Sequence, residues 1–464
     1  MQLFHRSASV SATFDDTNLV SAAGLVPAMA LAATTGLGDL ADEHLSLPGY
    51  FGANSGLKVT ALVAGMVAGA DSIDDMALLR HGGMKKLFVG AYAPSTLGSF
   101  LRAFTFGHVR QLDAAAWRWL VNLADVAPIL ASIDDYALVD IDDTIKEVHG
   151  YQKQGSGYGY SGVRGLNALL GIVSTLSSAP VIIGSRLRKG ATGSPRGAKR
   201  FVADILATVR RLRSDTATGL VLLRADSAFY GHAVVSAAHQ GGAKVSITAR
   251  MDPAVKRAIA TIPDTVWTTI NYTDAIRDET TGTWISSAEV AEIPFTAFSS
   301  RKKSEHITGR LVVRRIPELN SFDGDGQPTL FDTHRFHAFF TTSDLDTVTA
   351  DKTHRGHAII EQVNADLKDS ALAHLPCGVF TANAAWLVLA TIAFNLSRAI
   401  STLTGTELSK ARSGTIRRKL ITVPARISTS ARRLVLHLPA DWPWEDGWTT
   451  WFAAACGPPR TTTN

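Results

Sequence analysis

The sequence predicts an α/β protein: a mixed five-stranded sheet flanked by helices, with a β-rich insertion and an N-terminal helical domain. Three observations carry this. Short runs rich in β-branched and large apolar residues recur at 136–139, 166–176, 180–187, 219–225 and 243–249, as buried strands do. A helical period separates the third run from the fourth, with Phe201, Ile205, Leu206, Val209 and Leu212 on one face. A helix returning there implies a parallel crossover and a covered sheet. From 251 to 350, Thr, Val, Ile, Trp and Phe alternate with polar residues, which reads as inserted antiparallel strands.

The chain has 464 residues, of which 46% are apolar and 19% charged, an ordinary balance for a globular protein of several domains. The net charge of +5 is mild and has meaning only where it clusters. The two cysteines, Cys377 and Cys456, exclude a disulfide framework or a cysteine zinc site and suit a reducing cytoplasm. No basic segment followed by an apolar one opens the chain, so no signal peptide is expected. The longest apolar run, 384–394, is too short for a bilayer, and no membrane role is expected.

In chain order, residues 1–130 form the N-terminal helical domain. Residues 57–70 are apolar and rich in small side chains, as in a buried helix. A basic, aromatic patch follows at Arg102, Phe104, Phe106, His108 and Arg110. Short helices with Gly turns and nearby basic residues fit either a helix-turn-helix DNA reader or a plain bundle. Residues 131–250 form the first part of the core. Within it, the Gly- and Tyr-rich stretch 150–162 is too irregular for a phosphate-binding loop and reads as a turn between strands that touches a substrate backbone. Arg188 and Lys189, at the end of the third strand, either meet phosphates or guard a sheet edge.

Residues 251–350 are the insertion. Asp323, Gly324, Asp325 and Gly326 lack the further ligands of a calcium loop and read as a hairpin turn. Trp267 and Trp284 either stack on bases or pack. Residues 351–405 supply the final core helices, and 406–464 a basic C-terminal region. Between 407 and 436, eight Lys or Arg face one acid, and Arg417, Arg418 and Lys419 are consecutive. That clustering is the footprint of a polyanion partner, here nucleic acid.

The chemistry is read from acids. Asp140, Asp142 and Asp143 close the first apolar strand, and Asp226 closes the fourth. Acids at the tip of a buried strand are costly unless something cationic sits there, and Mg²⁺ prefers such oxygens. Residues 354–368 read as one unbroken helix. There His354, His357, Glu361, Asn364 and Lys368 form a polar stripe beside Ile360, Val363 and Leu367. If strands one and four are neighbours and this helix crosses their ends, Asp142, Asp226 and Glu361 converge. Such a site would hold two Mg²⁺ ions about 4 Å apart, one activating a water or a 3′-hydroxyl and one stabilising the leaving oxygen.

Asp142, Asp143 and Thr144, the stretch Arg224 to Tyr230, and the helix with Glu361 and Lys368 together resemble a bacterial insertion-sequence DDE transposase with an RNase H-like core, of the IS thirteen-eighty family. The resemblance spans roughly residues 20–440. Its most specific part is a Tyr, two residues, an Arg, three residues, the Glu, six residues and a Lys. Glu361 and Lys368 keep that spacing, while His354 stands at the Tyr and His357 at the Arg. Arg355 or a protonated His357 would then take the phosphate contact of the Arg.

The resemblance implies Asp142 as first ligand, two residues before Thr144, with Asp143 turned away. It implies two Mg²⁺ ions, for which Mn²⁺ substitutes. The partners implied are double-stranded DNA, as terminal inverted repeats and target, and a second copy in a synaptic homodimer. The insertion would approach the transposon end with a tryptophan. Two other functions are carried: a catalytically inactive, domesticated DNA-binding protein, and a zinc hydrolase using His354, His357 and Glu361.

Overall fold

A computed structural model describes residues 4, 6–277, 284–317, 334–430 and 433–457, with the backbone alone at 50, 271–277, 284–287 and 317. The Asp323–Gly326 turn, Arg432 and the side chain of Trp284 lie outside the described residues. The chain divides into two compact units. One holds residues 1–123, 369–376 and 392–464, and the other 124–368 and 377–391.

The first unit is helical: α1 (Leu25–Thr34), α2 (Leu37–His44), α3 (Ser55–Ala68), α4 (Pro94–Arg102) and most of α5 (Phe106–Val126). α3 is buried almost throughout, because its small side chains let neighbours approach on every face. Even Lys58 is buried. Its ammonium donates to the carbonyls of Phe51 and Ala53 and lies over the rings of Phe100 and Tyr92. Trp119 on α5 is fully buried and donates its indole N–H to Thr35. The basic C-terminal stretch belongs to this same unit. Its strand Ala425–Ser430 pairs with Leu19–Val20 on one side and Arg433–His437 on the other. Trp448 and Trp451 are buried in the helix Glu445–Cys456.

The second unit is a large mixed sheet flanked by helices. Its strands are β1 (Tyr136–Glu147), β2 (Arg164–Ser174), β3 (Val181–Lys189), β4 (Leu220–Ala225), β5 (Lys244–Thr248), β6 (Thr268–Arg277), β7 (Trp284–Ala297), β8 (Ile307–Pro317) and β9 (His334–Thr341). In space they run β3-β2-β1-β4-β5-β9-β8-β7-β6, and a short strand at Gly157–Tyr158 also pairs with β2. β1, β2 and β3 are antiparallel neighbours, while β4 and β5 run parallel to β1.

Two expectations are corrected here. The sheet does not stop at five strands. β9 pairs antiparallel with β5, so the insertion continues the core sheet. Nor do the acids end the first strand. β1 runs on to Glu147, paired with β2 throughout, whereas β4 stops at Ala225 opposite Ile141. Asp142 and Asp143 therefore lie where β1 loses its parallel neighbour.

The amphipathic α6 (Ala198–Leu212) covers β2 and β3 with Phe201 and Ile205. Gly171 and Gly184 face each other across those strands. A Cβ on Gly184 would stand 2.7 Å from Ile205, so their lack of side chains lets the helix settle on the sheet. α7 (His232–Gln240) joins β4 to β5. α8 (Thr347–Arg355) and α9 (Ile359–Lys368) follow the insertion, separated by a 3-10 turn at Gly356–Ala358, so the stretch 354–368 is not one unbroken helix. Finally, α10 (Phe380–Leu403) is long and apolar enough to cross a membrane by composition, but its apolar window is entirely buried in the protein. The run 384–394 is thus the middle of a core helix.

Candidate active site

β1 supplies three carboxylates with three different environments, and strand alternation decides which is which. Asp143 points to one face. There it accepts from Arg188 at 2.6 Å and from the amide of Asn167. Arg188 also donates to Asn167 and to the carbonyls of Ser194 and Arg196. Arg188, read as a phosphate contact, is thus committed inside the protein. Lys189 beside it is exposed.

Asp140 points to the opposite face and is fully buried. Both its oxygens accept from Arg224 at 2.7 Å, and one also meets His357 Nδ1 at 2.9 Å. Burial alone would raise the pKa of this carboxyl, but Arg224 and then His357 hold it below the usual range. Arg224 reaches on to the carbonyl of Thr353 at 2.6 Å. A Cβ on Gly356 would come within 2.8 Å of its guanidinium. Asp140 is therefore locked in a buried pair that anchors the 3-10 turn to the sheet.

Asp142 shares that face two residues on. One of its oxygens accepts the backbone N–H of Asp143, and the other the side-chain amide of Asn364 at 3.1 Å. Burial, and then the nearby charge of Asp226, push its pKa up to about 6. Asp226 follows the last residue of β4 and caps a 3-10 turn, accepting from the N–H of Ala228 at 3.0 Å. It is exposed as a residue, yet the protein around its carboxyl raises its pKa, with Asp143 adding repulsion. The parallel register of β1 and β4 brings the pair together, since the last matched residues are Ile141 and Ala225.

Glu361 arrives differently. It is exposed on α9, one turn before Asn364 on the same helical face. Among the described residues, no three His, Cys, Asp or Glu stand close enough to hold a metal. The structure thus brings Asp142 and Asp226 together, while Glu361 stays exposed on α9 and does not join them in a three-acid cluster. Lys368, at the other end of α9, donates to Thr144 at 2.6 Å. Burial, and then Lys146, lower its pKa, while Asp142 opposes them.

His354 and Arg355 are both committed inside the protein. His354 stacks on Phe339 at 4.1 Å, and its ring nitrogens meet Ser246 and Thr248 at 2.9 and 3.1 Å. Burial holds its pKa down to about 3. With both nitrogens engaged, His354 offers no lone pair to zinc, and the His354–His357–Glu361 zinc set does not form. Arg355 pairs with the buried Asp351 at 2.8 Å. Trp267 packs against Phe336 under the guanidinium of Arg315. In the other unit, Arg418 is exposed, Arg417 is partly buried, and Lys419 lies over Trp444 at 4.6 Å.

Sequence reasoning did not assign Arg224, Asn364 or Tyr160. The first lay one residue before the apolar end of β4, and the second in the polar stripe. Tyr160 is in the turn between the short strand Gly157–Tyr158 and β2 and is 75% exposed. What burial its hydroxyl has, and then the charges of Asp143, Asp142 and Asp226, raise its pKa.

The chain matches the family described as transposase DDE domain group 1 over residues 3–454. This protein is a DDE transposase by family. No curated protein matches it. Family members of this kind act as transposases and usually use divalent metals. Two carboxylates with raised pKa, and an amide oxygen on Asn364 that is buried and without a hydrogen-bond partner, are the oxygens a hard cation takes. The residues fit.

Proposed function

We propose that this DDE transposase is of the IS thirteen-eighty kind, with an RNase H-like core. In this reading it binds the terminal inverted repeats of an insertion sequence, cleaves at their ends and joins the 3′ end to target DNA. The observation that carries it is the parallel pairing of β1 with β4, which sets Asp142 beside Asp226 while α9 lies against β1. The order β3-β2-β1-β4-β5, with the last two parallel to β1, supports the core assignment.

Asp142, Asp226 and Glu361 would hold divalent cations, Mg²⁺ or Mn²⁺. Bound there, they would supply Lewis-acid activation and charge stabilisation at the scissile phosphate. In cleavage, water adds its oxygen to phosphorus, the P–O3′ bond breaks, and the proton that water gives up is made good on O3′ through solvent, which leaves a 3′-hydroxyl and a 5′-phosphate. In strand transfer, the freed 3′-hydroxyl attacks a target phosphate, and one P–O bond replaces another. Asp142 is held by Asn364 and by its own strand, so its oxygens keep one orientation. Lys368 places an ammonium beside Thr144, where it can meet a phosphate oxygen. His357 holds Asp140, and its second ring nitrogen is left for DNA. Lys189, Arg418 and Lys419 are backbone contacts in this reading, Arg355 and Arg417 lesser ones, and two copies meet in a synaptic homodimer in the cytoplasm.

The test uses DNA carrying the flanking repeats with Mg²⁺, mapping breaks to the nucleotide. Asp226→Ala is expected to keep repeat binding in a gel shift and lose all cleavage. Cleavage by that variant at the wild-type rate overturns the assignment. Wild-type protein that binds the ends but cuts with neither Mg²⁺ nor Mn²⁺ would be a non-catalytic DNA binder.

A further inference from the structure

We propose that Asn364 is a further ligand of the cation site formed by Asp142 and Asp226, offering its side-chain carbonyl oxygen. The inference rests on the functional reading above and adds to it a residue outside the three acids.

Asn364 is only 7% exposed, on the face of α9 that lies against β1. Its amide nitrogen donates to Asp142, as the negative carboxylate requires. That fixes the amide plane and leaves Oδ1 on the same small group, one carbon from the contact. Oδ1 is buried and accepts from no protein donor. Proteins leave few buried polar atoms unpaired, because each such group forfeits its hydration. The atom therefore awaits a partner that the protein chain does not supply. Beside it stands a carboxylate that is itself short of positive charge. Arg224 serves Asp140, Arg188 serves Asp143, and Lys368 donates to Thr144, so none of these cations pairs with Asp142.

A divalent cation meets both needs at once, since Asn carbonyls and Asp carboxylates are its ordinary ligands. A water molecule in the same place would satisfy Oδ1 but leave Asp142 and Asp226 repelling each other. Glu361 lies one turn away and is exposed, whereas Asn364 is buried and already in contact with Asp142.

Mn²⁺ binding to the full chain, by electron paramagnetic resonance titration, tests this without reference to catalysis. Asn364→Leu is expected to weaken Mn²⁺ roughly tenfold, within the range seen when groups around a metal are removed. Asn364→Asp keeps the size and an oxygen. It is expected to melt lower than wild type in a chelator and to gain more from Mn²⁺ than wild type does, because three acids then share the site. Asp226→Ala is the control and should lose Mn²⁺. If Asp226→Ala loses Mn²⁺ while both Asn364 variants bind and melt as wild type, Asn364 takes no part in holding the cation; if Asn364→Leu weakens Mn²⁺ but Asn364→Asp gains no more from it than wild type, Asn364 is only a prop for Asp142; either result overturns the inference with the functional reading intact. If Asp226→Ala keeps wild-type affinity, the functional reading falls, and this one with it. Should Asn364→Leu fail to fold, the Mn²⁺-dependent melting of Asn364→Asp decides alone.

Discussion

Arg224 is 2% exposed and gives both oxygens of the fully buried Asp140 a guanidinium hydrogen bond. Breaking such a pair strands a charge in the interior. Arg224→Met should therefore cost about 3–5 kcal/mol, measured by urea unfolding. Adding Asp140→Leu should recover much of the loss, since the double variant leaves no orphan charge. His354 gives a pH signature. Its pKa falls from 6.5 to about 3 on folding, so the unfolded chain takes up a proton that the native one refuses. The stability it contributes is complete above about pH 6.5 and is lost as pH falls toward 3, at up to ~1.4 kcal/mol per pH unit. His354→Gln should flatten that slope in an acid-unfolding series. Residue types and alternation were legible here: Asp140 and Asp142 meet residues from 357 to 364, and Asp143 meets Arg188 on the other face. Which acid already had a partner was not, because Arg224 and Arg188 are distant along the chain.

β1 and α6 show the same division among elements. The five apolar runs were found, since buried strands write themselves in β-branched residues. Their extents were misjudged where polar residues continued a strand, as in β1 beyond Val139. The ladder with β2 keeps the chain extended there whatever its composition. The turn between α8 and α9 was invisible for a similar reason, because the residues that meet it, Arg224 at Thr353 and Asp140 at His357, come from far along the chain. Packing of α6 on the sheet is a sharp test. Gly184→Ala would thrust a methyl against Ile205, at a cost of about 1–3 kcal/mol in denaturant unfolding. The atom met is Ile205 Cγ2, which valine keeps and alanine lacks, so Ile205→Ala should cost less in the Gly184→Ala chain than in wild type. A Gly184→Ala protein as stable as wild type would mean that α6 shifts freely.

At the scale of the molecule, the second unit carries the acid pair and the first carries the clustered basic C-terminal residues. Contacts to phosphate give a salt-dependent affinity with no sequence preference. Arg418→Ala should thus weaken binding to repeat and unrelated DNA alike and lower the salt slope by about one, read by fluorescence anisotropy across a salt series. An unchanged slope would remove Arg418 from the interface. The sequence by itself determined the α/β class, the strand-forming segments, the acids and the spacing of Glu361 to Lys368, because local composition and periodicity record what a segment buries. Tertiary structure decided how far the sheet extends, that Leu19–Val20 pairs with the C-terminal region, and which acids are already neutralised. Those depend on partners brought together from far along the chain, and a sidechain's charge acts only on what folding places within a few ångströms of it.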